Sequence, residues 1–318
     1  MAASIRARSG RVRSPGVGAP RLGASVAAGS EALDLTDPPP AARAESAVRL
    51  RVAIPEPPAR MPLGAAEPMR PPPLELALTD LAEVFGVYPY RASMPACTHC
   101  VSDHDLRALG QAPGHIAEDL LARYMTKAVI TWGDAVDMKR LLPEILTRLC
   151  DGRLSTPEAL VGARLRRAGW VDWPAAETPA VRRTLRAAWQ ITLATAPGPG
   201  RVPASQRLAL IASAETELAP YLDLWEDRLE AAGDPDARLA AVLHLADLLA
   251  PLADGGRRNL ARAFPLARRS VVSQLDQWLR QPLVIRRLAH AADALSSTPQ
   301  GPVVDRARKG LARLRTDG

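Results

Sequence analysis

From Leu74 onward, apolar residues recur three and four positions apart, and no stretch alternates with a period of two. A half-buried strand hides every second side chain, whereas a helix hides one face every 3.6 residues, so this spacing selects helices. Ile116, Leu120, Tyr124 and Ala128 follow each other at intervals of four. Val136, Leu141, Ile145 and Leu149 supply a second such face. The expected fold class is all-α, an irregular array of antiparallel helix pairs, bundle-like or α-solenoid-like. No repeat period holds for three units.

Start and stop signals divide the array. Ser102 with Asp105 reads as an N-cap and an imperfect capping box, and Gly86 and Gly110 as helix stops. Thr156-Pro157-Glu158, Thr178-Pro179 and Asp234-Pro235 each read as a cap followed by a first-turn proline. Helices are expected over 74–85, 102–109, 115–130, 134–150, 156–168, 178–194, 204–214, 217–231, 235–252, 265–280, 282–295 and 303–314, with a kink at Pro143. Ahead of them, residues 1–73 form a Pro-, Ala- and Arg-rich tail whose composition predicts disorder. Within it, Val48 to Pro55 alternates enough for a short strand, and without a pairing partner reads better as an extended linker or docking peptide. Residues 74–152 then make an N-terminal helical segment and 153–318 a C-terminal helical array.

Charge would ordinarily point to a polyanion, since the net charge is +7. Only Lys127, Lys139 and Lys309 of the 41 basic residues are lysines, however, which is the mark of GC-rich coding rather than of a binding patch. Acidic residues are also interleaved with the basic ones, as on solvated helix faces. No apolar run approaches the roughly 20 residues that span a bilayer, and no apolar core of a signal peptide is visible. The expectation is a cytoplasmic protein with no membrane partner and with its three cysteines reduced.

The chemistry-bearing stretch is Cys97-Thr98-His99-Cys100. Two thiolates two residues apart can bind Zn²⁺ from one turn, His99 or His104 could supply a nitrogen ligand, and Cys150 and His115 are the spare candidates for the four that a closed site needs. A thiol–disulfide role competes with zinc, although the usual redox motif follows a strand, and packing of ordinary cysteines competes with both. A second cluster sets Trp170, Trp173 and Trp189 among Arg164, Arg167, Arg183 and Arg186. Basic residues among aromatics can grip single-stranded nucleic acid, but indoles more often fill a core. Asp103, Asp105 and Asp134 stand at helix starts, where capping accounts for them, and His244 lies in an apolar helix. GxSxG, P-loop, GxGxxG and HExxH motifs are absent.

Cys97-Thr98-His99-Cys100-Val101-Ser102, Thr131-Trp132-Gly133-Asp134 and Leu141-Leu142-Pro143-Glu144-Ile145-Leu146 together resemble a group of uncharacterised bacterial proteins over roughly residues 87–149. The resemblance implies a bacterial cytosolic helical protein and, because the group has no assigned activity, no catalytic residue. The functional expectation is a non-enzymatic interaction or scaffold protein with a protein partner and no cofactor. One alternative is a zinc-binding protein, extending to a metal-dependent hydrolase, with structural Zn²⁺ at the CxxC loop. The other is an accessory nucleic-acid binder using the Arg/Trp region.

Overall fold

A computed structural model describes residues 73–89, 91, 94–110 and 114–317. The tail over 1–72, with its Val48 to Pro55 segment, lies outside the described residues. Thirteen α-helices account for most of what is described, and no strand occurs among those residues. They are α1 (Pro73–Phe85), α2 (Asp103–Leu109), α3 (Glu118–Lys127), α4 (Ala135–Cys150), α5 (Glu158–Arg167), α6 (Glu177–Ala194), α7 (Ala204–Ala214), α8 (Ala219–Glu230), α9 (Pro235–Leu249), α10 (Gly256–Ala263), α11 (Arg269–Leu279), α12 (Pro282–Ala294) and α13 (Gly301–Thr316). Short 3-10 turns occupy Trp170–Asp172 and Ala250–Asp254. The all-α expectation therefore holds.

Several caps act as the sequence indicates. The Ser102 hydroxyl accepts from the Asp105 N–H at 3.1 Å, and Asp234 Oδ1 accepts from the Ala237 N–H at 2.9 Å. Others differ. Thr156 does not cap α5: its hydroxyl is buried with no hydrogen-bond partner, and Pro157 occupies the cap position. Thr178 sits inside the first turn of α6 and donates instead to the Trp170 carbonyl at 2.9 Å, tying the preceding turn to the helix. The helix expected over 115–130 is shorter at both ends: Ala117 is still extended at ψ 144°, and the chain leaves the helix at Ala128, with ψ 133°, ahead of Val129 at φ 59°. α10, which opens at Gly256 with Gly255 as its cap, falls between the expected helices 235–252 and 265–280.

The closest helix pairs skip along the chain: α5 packs on α7, α1 on α6, and α13 on α9 and the 3-10 turn that follows it. Small residues make two of these approaches possible. A Cβ on Gly162 of α5 would lie 2.1 Å from the Leu210 carbonyl oxygen of α7, and one on Gly310 of α13 would lie 2.1 Å from the Leu249 carbonyl oxygen. One apolar core runs through residues on both sides of Gly152, from Leu81 and Tyr124 to Trp225 and Leu314. Within it Trp189, Trp225 and Trp278 form a chain of rings with centroids 5.3 and 5.1 Å apart.

Candidate functional site: a dithiol loop clasped by a tryptophan turn

The CxxC loop and the Thr131-Trp132-Gly133-Asp134 turn, far apart in sequence, are bound to each other through the main chain. The Cys97 N–H donates to the Thr131 carbonyl at 2.9 Å, and the Gly133 N–H donates to the Pro95 carbonyl at 2.7 Å, forming an isolated antiparallel bridge between Ala96 and Trp132. Each residue of the turn has a task. Thr131 accepts from the loop. Trp132 is buried edge-on against Tyr124, with ring centroids 5.6 Å apart. Gly133 takes φ +71°, where a side chain would be strained. Asp134 caps α4, accepting from the Val136 and Asp137 N–H groups at 2.8 and 3.0 Å, while Asp137 Oδ2 accepts from the Asp134 N–H at 3.0 Å. Arg91 sits beside this capping box, 3.2 Å from Asp134 and 3.7 Å from Asp137.

The electrostatics of the two acids diverge. Burial works against the Asp134 anion, but hydrogen bonds from the Asp137 N–H, Arg91 and the Val136 N–H outweigh it and hold its carboxyl below the usual range. Asp137 is fully buried, and burial pushes its carboxyl up despite the Asp134 N–H.

On this base the loop presents both thiols to solvent. The Cys100 and Val101 N–H groups donate to the Cys97 carbonyl at 2.9 and 3.0 Å, so the motif is a tight turn, and Lys127 Nζ donates to the Cys100 carbonyl at 2.5 Å. The two thiols influence one another and are not equivalent. The His99 N–H, the Cys100 thiol and the Cys100 N–H stabilise a thiolate at Cys97 and lower it. Cys100, sharing its proton with that incipient charge, is raised.

The proposed ligands do not converge. His104 is 86% exposed at its side chain and lies 3.9 Å from Asp105. Cys150 ends α4 elsewhere, half-buried beside Arg207 and Glu158, where burial raises its thiol. Among the described residues no three His, Cys, Asp or Glu side chains are grouped to hold a metal ion.

The arginines of the second cluster are largely engaged. Arg164 Nε donates to the Met125 carbonyl at 3.0 Å and its Nη2 to the Thr126 carbonyl, while Arg167 Nε donates to Val129 at 2.8 Å. Arg183 is paired with Asp80 of α1 through Nε at 3.0 Å, and Arg186 is exposed on α6. Trp170 and Trp189 are buried and donate to the Ala214 and Tyr221 carbonyls, and Trp173 donates to Ala168.

Two assemblies had no signal in the sequence. Lys139 lies 2.7 Å from Glu177, donates to the Tyr88 hydroxyl at 2.9 Å and sits over the Tyr88 and Trp173 rings. The other is a cavity beside Cys150, floored by Arg207 and His244. Both join residues from separate helices, which periodicity does not register.

No helix among the described residues is long and apolar enough to cross a membrane. Comparison with family models, with curated proteins and with solved structures gives no match.

Proposed function

We propose that this chain is a helical interaction protein whose reactive contact is the Cys97–Cys100 dithiol, which exchanges electrons with a disulfide on its partner. The observation that carries the reading is the exposed pair of adjacent thiols, fixed on a main-chain clasp rather than on a free loop. The tight turn from Cys97 to Cys100 is of the kind that holds its end α-carbons within about 7 Å, and a disulfide spans about 4.4–6.8 Å.

In the exchange, the Cys97 thiolate attacks one sulfur of the partner's disulfide and expels the other as a thiolate, leaving a mixed disulfide. Cys100 releases its proton to solvent and attacks Cys97 Sγ, expelling the second partner thiolate and closing the Cys97–Cys100 bond. The dithiol loses two electrons and the partner disulfide gains them. Lys127 beside the loop favours the first thiolate, and the lowered Cys97 is the natural attacker.

Oxidised glutathione serves as the probe, with products mapped by mass spectrometry. The wild-type chain is expected to lose two hydrogens as the internal disulfide closes. Cys100→Ser should stall as a mixed disulfide at Cys97, whereas Cys97→Ser should react more slowly, since the thiol whose thiolate is stabilised is gone. Thiols that stay reduced in the folded wild type would end the reading.

The same adjacency supports a second reading, Zn²⁺ shared between Cys97, Cys100 and a partner's ligands, since a closed site needs four. Elemental mass spectrometry of protein purified without chelator separates the two. Stoichiometric zinc lost in Cys97→Ser favours this second reading.

A further inference from the structure

Where α10 meets α11 the surface carries an open groove of about 590 Å³. Arg257, Leu260, Ala261 and Phe264 form one wall, at α10 and its C-terminal end. Arg269, Val272, Ser273 and Asp276 of α11 form the other. Each set is spaced i, i+3, i+4, i+7, so each wall is one stripe of a helix. Leu260 and Phe264 are buried and make the floor apolar, while Arg257, Ala261, Arg269 and Ser273 are exposed. Two helical stripes with an apolar floor between them form the kind of groove that receives the apolar face of a third helix.

The charge around the groove is of one sign. Residues 255–275 hold five arginines, Arg257, Arg258, Arg262, Arg268 and Arg269, and no acid. Asp276, the one acid in the walls, is already answered by Arg257 at 2.7 Å and Arg280 at 3.1 Å. Arg258 and Arg262 form the next row of α10, about 100° around the helix from Arg257 and Ala261. Arg268 and Arg269 open α11, where no acid stands in the first turn and no side chain caps the helix. Among the described residues, Arg258, Arg262, Arg268 and Arg269 are exposed and their side chains make no ion pair or hydrogen bond. Cations at the start of a helix oppose its dipole, so stability alone does not favour this arrangement. An unanswered positive field borders an apolar groove.

We infer that this groove docks an amphipathic helix of a partner protein, apolar on the face it buries and acidic along its flanks. Its apolar side chains rest on Leu260, Phe264 and Val272, and its carboxylates meet the arginines of the α10 row and of the start of α11. A plain polyanion uses the arginines and leaves the apolar floor uncovered, which is why the groove favours a peptide. α11 has 11 residues, about 16 Å of helix, which matches about three turns of partner. The groove shares no residue with the dithiol loop and stands whether or not Cys97 and Cys100 exchange.

The test selects a display library of random peptides, about 15 residues long, on the full chain, with Ala261→Trp for counter-selection. Ala261 is exposed, so the indole fills the groove without entering the core. Enriched peptides are expected to be net negative, to repeat apolar residues at i, i+3 or i+4 and i+7, and to gain helical circular dichroism on binding. Arg258→Glu combined with Arg269→Glu should weaken them roughly tenfold or more, and added salt should weaken them as well. Should Ala261→Trp fail to fold, the charge-reversed variant alone decides. No enrichment over a blank surface overturns the inference, as do enriched peptides without an acidic excess or with equal affinity for the charge-reversed variant. Oligo(dT) or phosphatidylserine vesicles bound through these arginines, with no peptide enriched, assign the patch to a polyanion and overturn it too. Self-association in sedimentation that Ala261→Trp abolishes gives the groove to a second copy of this chain, with the same consequence.

Discussion

At the scale of single residues, the most demanding positions are those where the backbone leaves no room. Gly162 lets α5 and α7 touch main chain to main chain. Gly162→Ala places a methyl group into the Leu210 carbonyl, and overpacking of this kind costs about 1–3 kcal/mol, read as a lower denaturant midpoint with an unchanged slope. Asp134 makes a different demand. Its carboxyl is lowered in the folded chain, so it contributes stability that is present above the unfolded value of 3.8 and lost as the pH falls through the lower folded value. Asp134→Ala should cost about 1 kcal/mol at neutral pH through the lost cap, and the gap to wild type should narrow in unfolding curves taken below 3.8. Val129 is the only described non-glycine residue with positive φ. A β-branched residue there stores about 1–3 kcal/mol of strain, held in place by its N–H bond to Trp132 and by Arg167 on its carbonyl.

At the scale of elements, the arginines acquire a structural role. The last carbonyls of a helix lack intrahelical partners, and here guanidinium groups from other helices supply them. α3 accounts for all four: Tyr124 accepts from the Ala128 N–H, Met125 and Thr126 from Arg164, and Lys127 from the Ile130 and Thr131 N–H groups. Arg140 donates to Leu109 at the end of α2, Arg166 to Ser213 near the end of α7, and Arg280 to Leu314 near the end of α13. A planar fork serves two carbonyls at once where an ammonium group serves them less well, which gives the scarcity of lysine a physical use beyond coding bias. Arg164→Ala should destabilise by about 1–3 kcal/mol and accelerate amide exchange across residues 118–127, whereas Arg186→Ala, on an exposed site, should change stability by less than about 0.5 kcal/mol. The helices themselves were legible because Ser102, Asp134 and Asp234 cap locally. The remote caps were not, since nothing within a few residues of Arg164 points to Met125. The misread starts have other reasons: the Thr156 hydroxyl is buried without a partner, and the Thr178 hydroxyl turns back to the Trp170 carbonyl of the preceding turn.

Across the whole molecule, the sequence indicated helices but not their partners. Apolar periodicity fixes which face is buried and is silent on what buries it, so the pairings of α5 with α7 and of α1 with α6 had no local signal. The dithiol loop and the Trp132 turn were conspicuous as separate segments. Their junction depends on the main-chain bonds of Cys97 and Gly133, which no side-chain pattern encodes. The cavity at Arg207 and His244 was hidden for a related reason, because His244 looks like one more residue of an apolar helix until Arg207 is placed opposite it.

The pairing of α9 with α13 also sets an order of events in synthesis. The face of α9 that packs against α13, with Leu249 against Gly310, leaves the ribosome some fifty residues before the helix that covers it. During that interval the nascent chain carries an apolar stripe with no cover, and holdase chaperones bind such stripes. A stop codon placed just before Gly301 would make the interval permanent, and the truncated product is expected in the insoluble fraction while the full chain stays in solution.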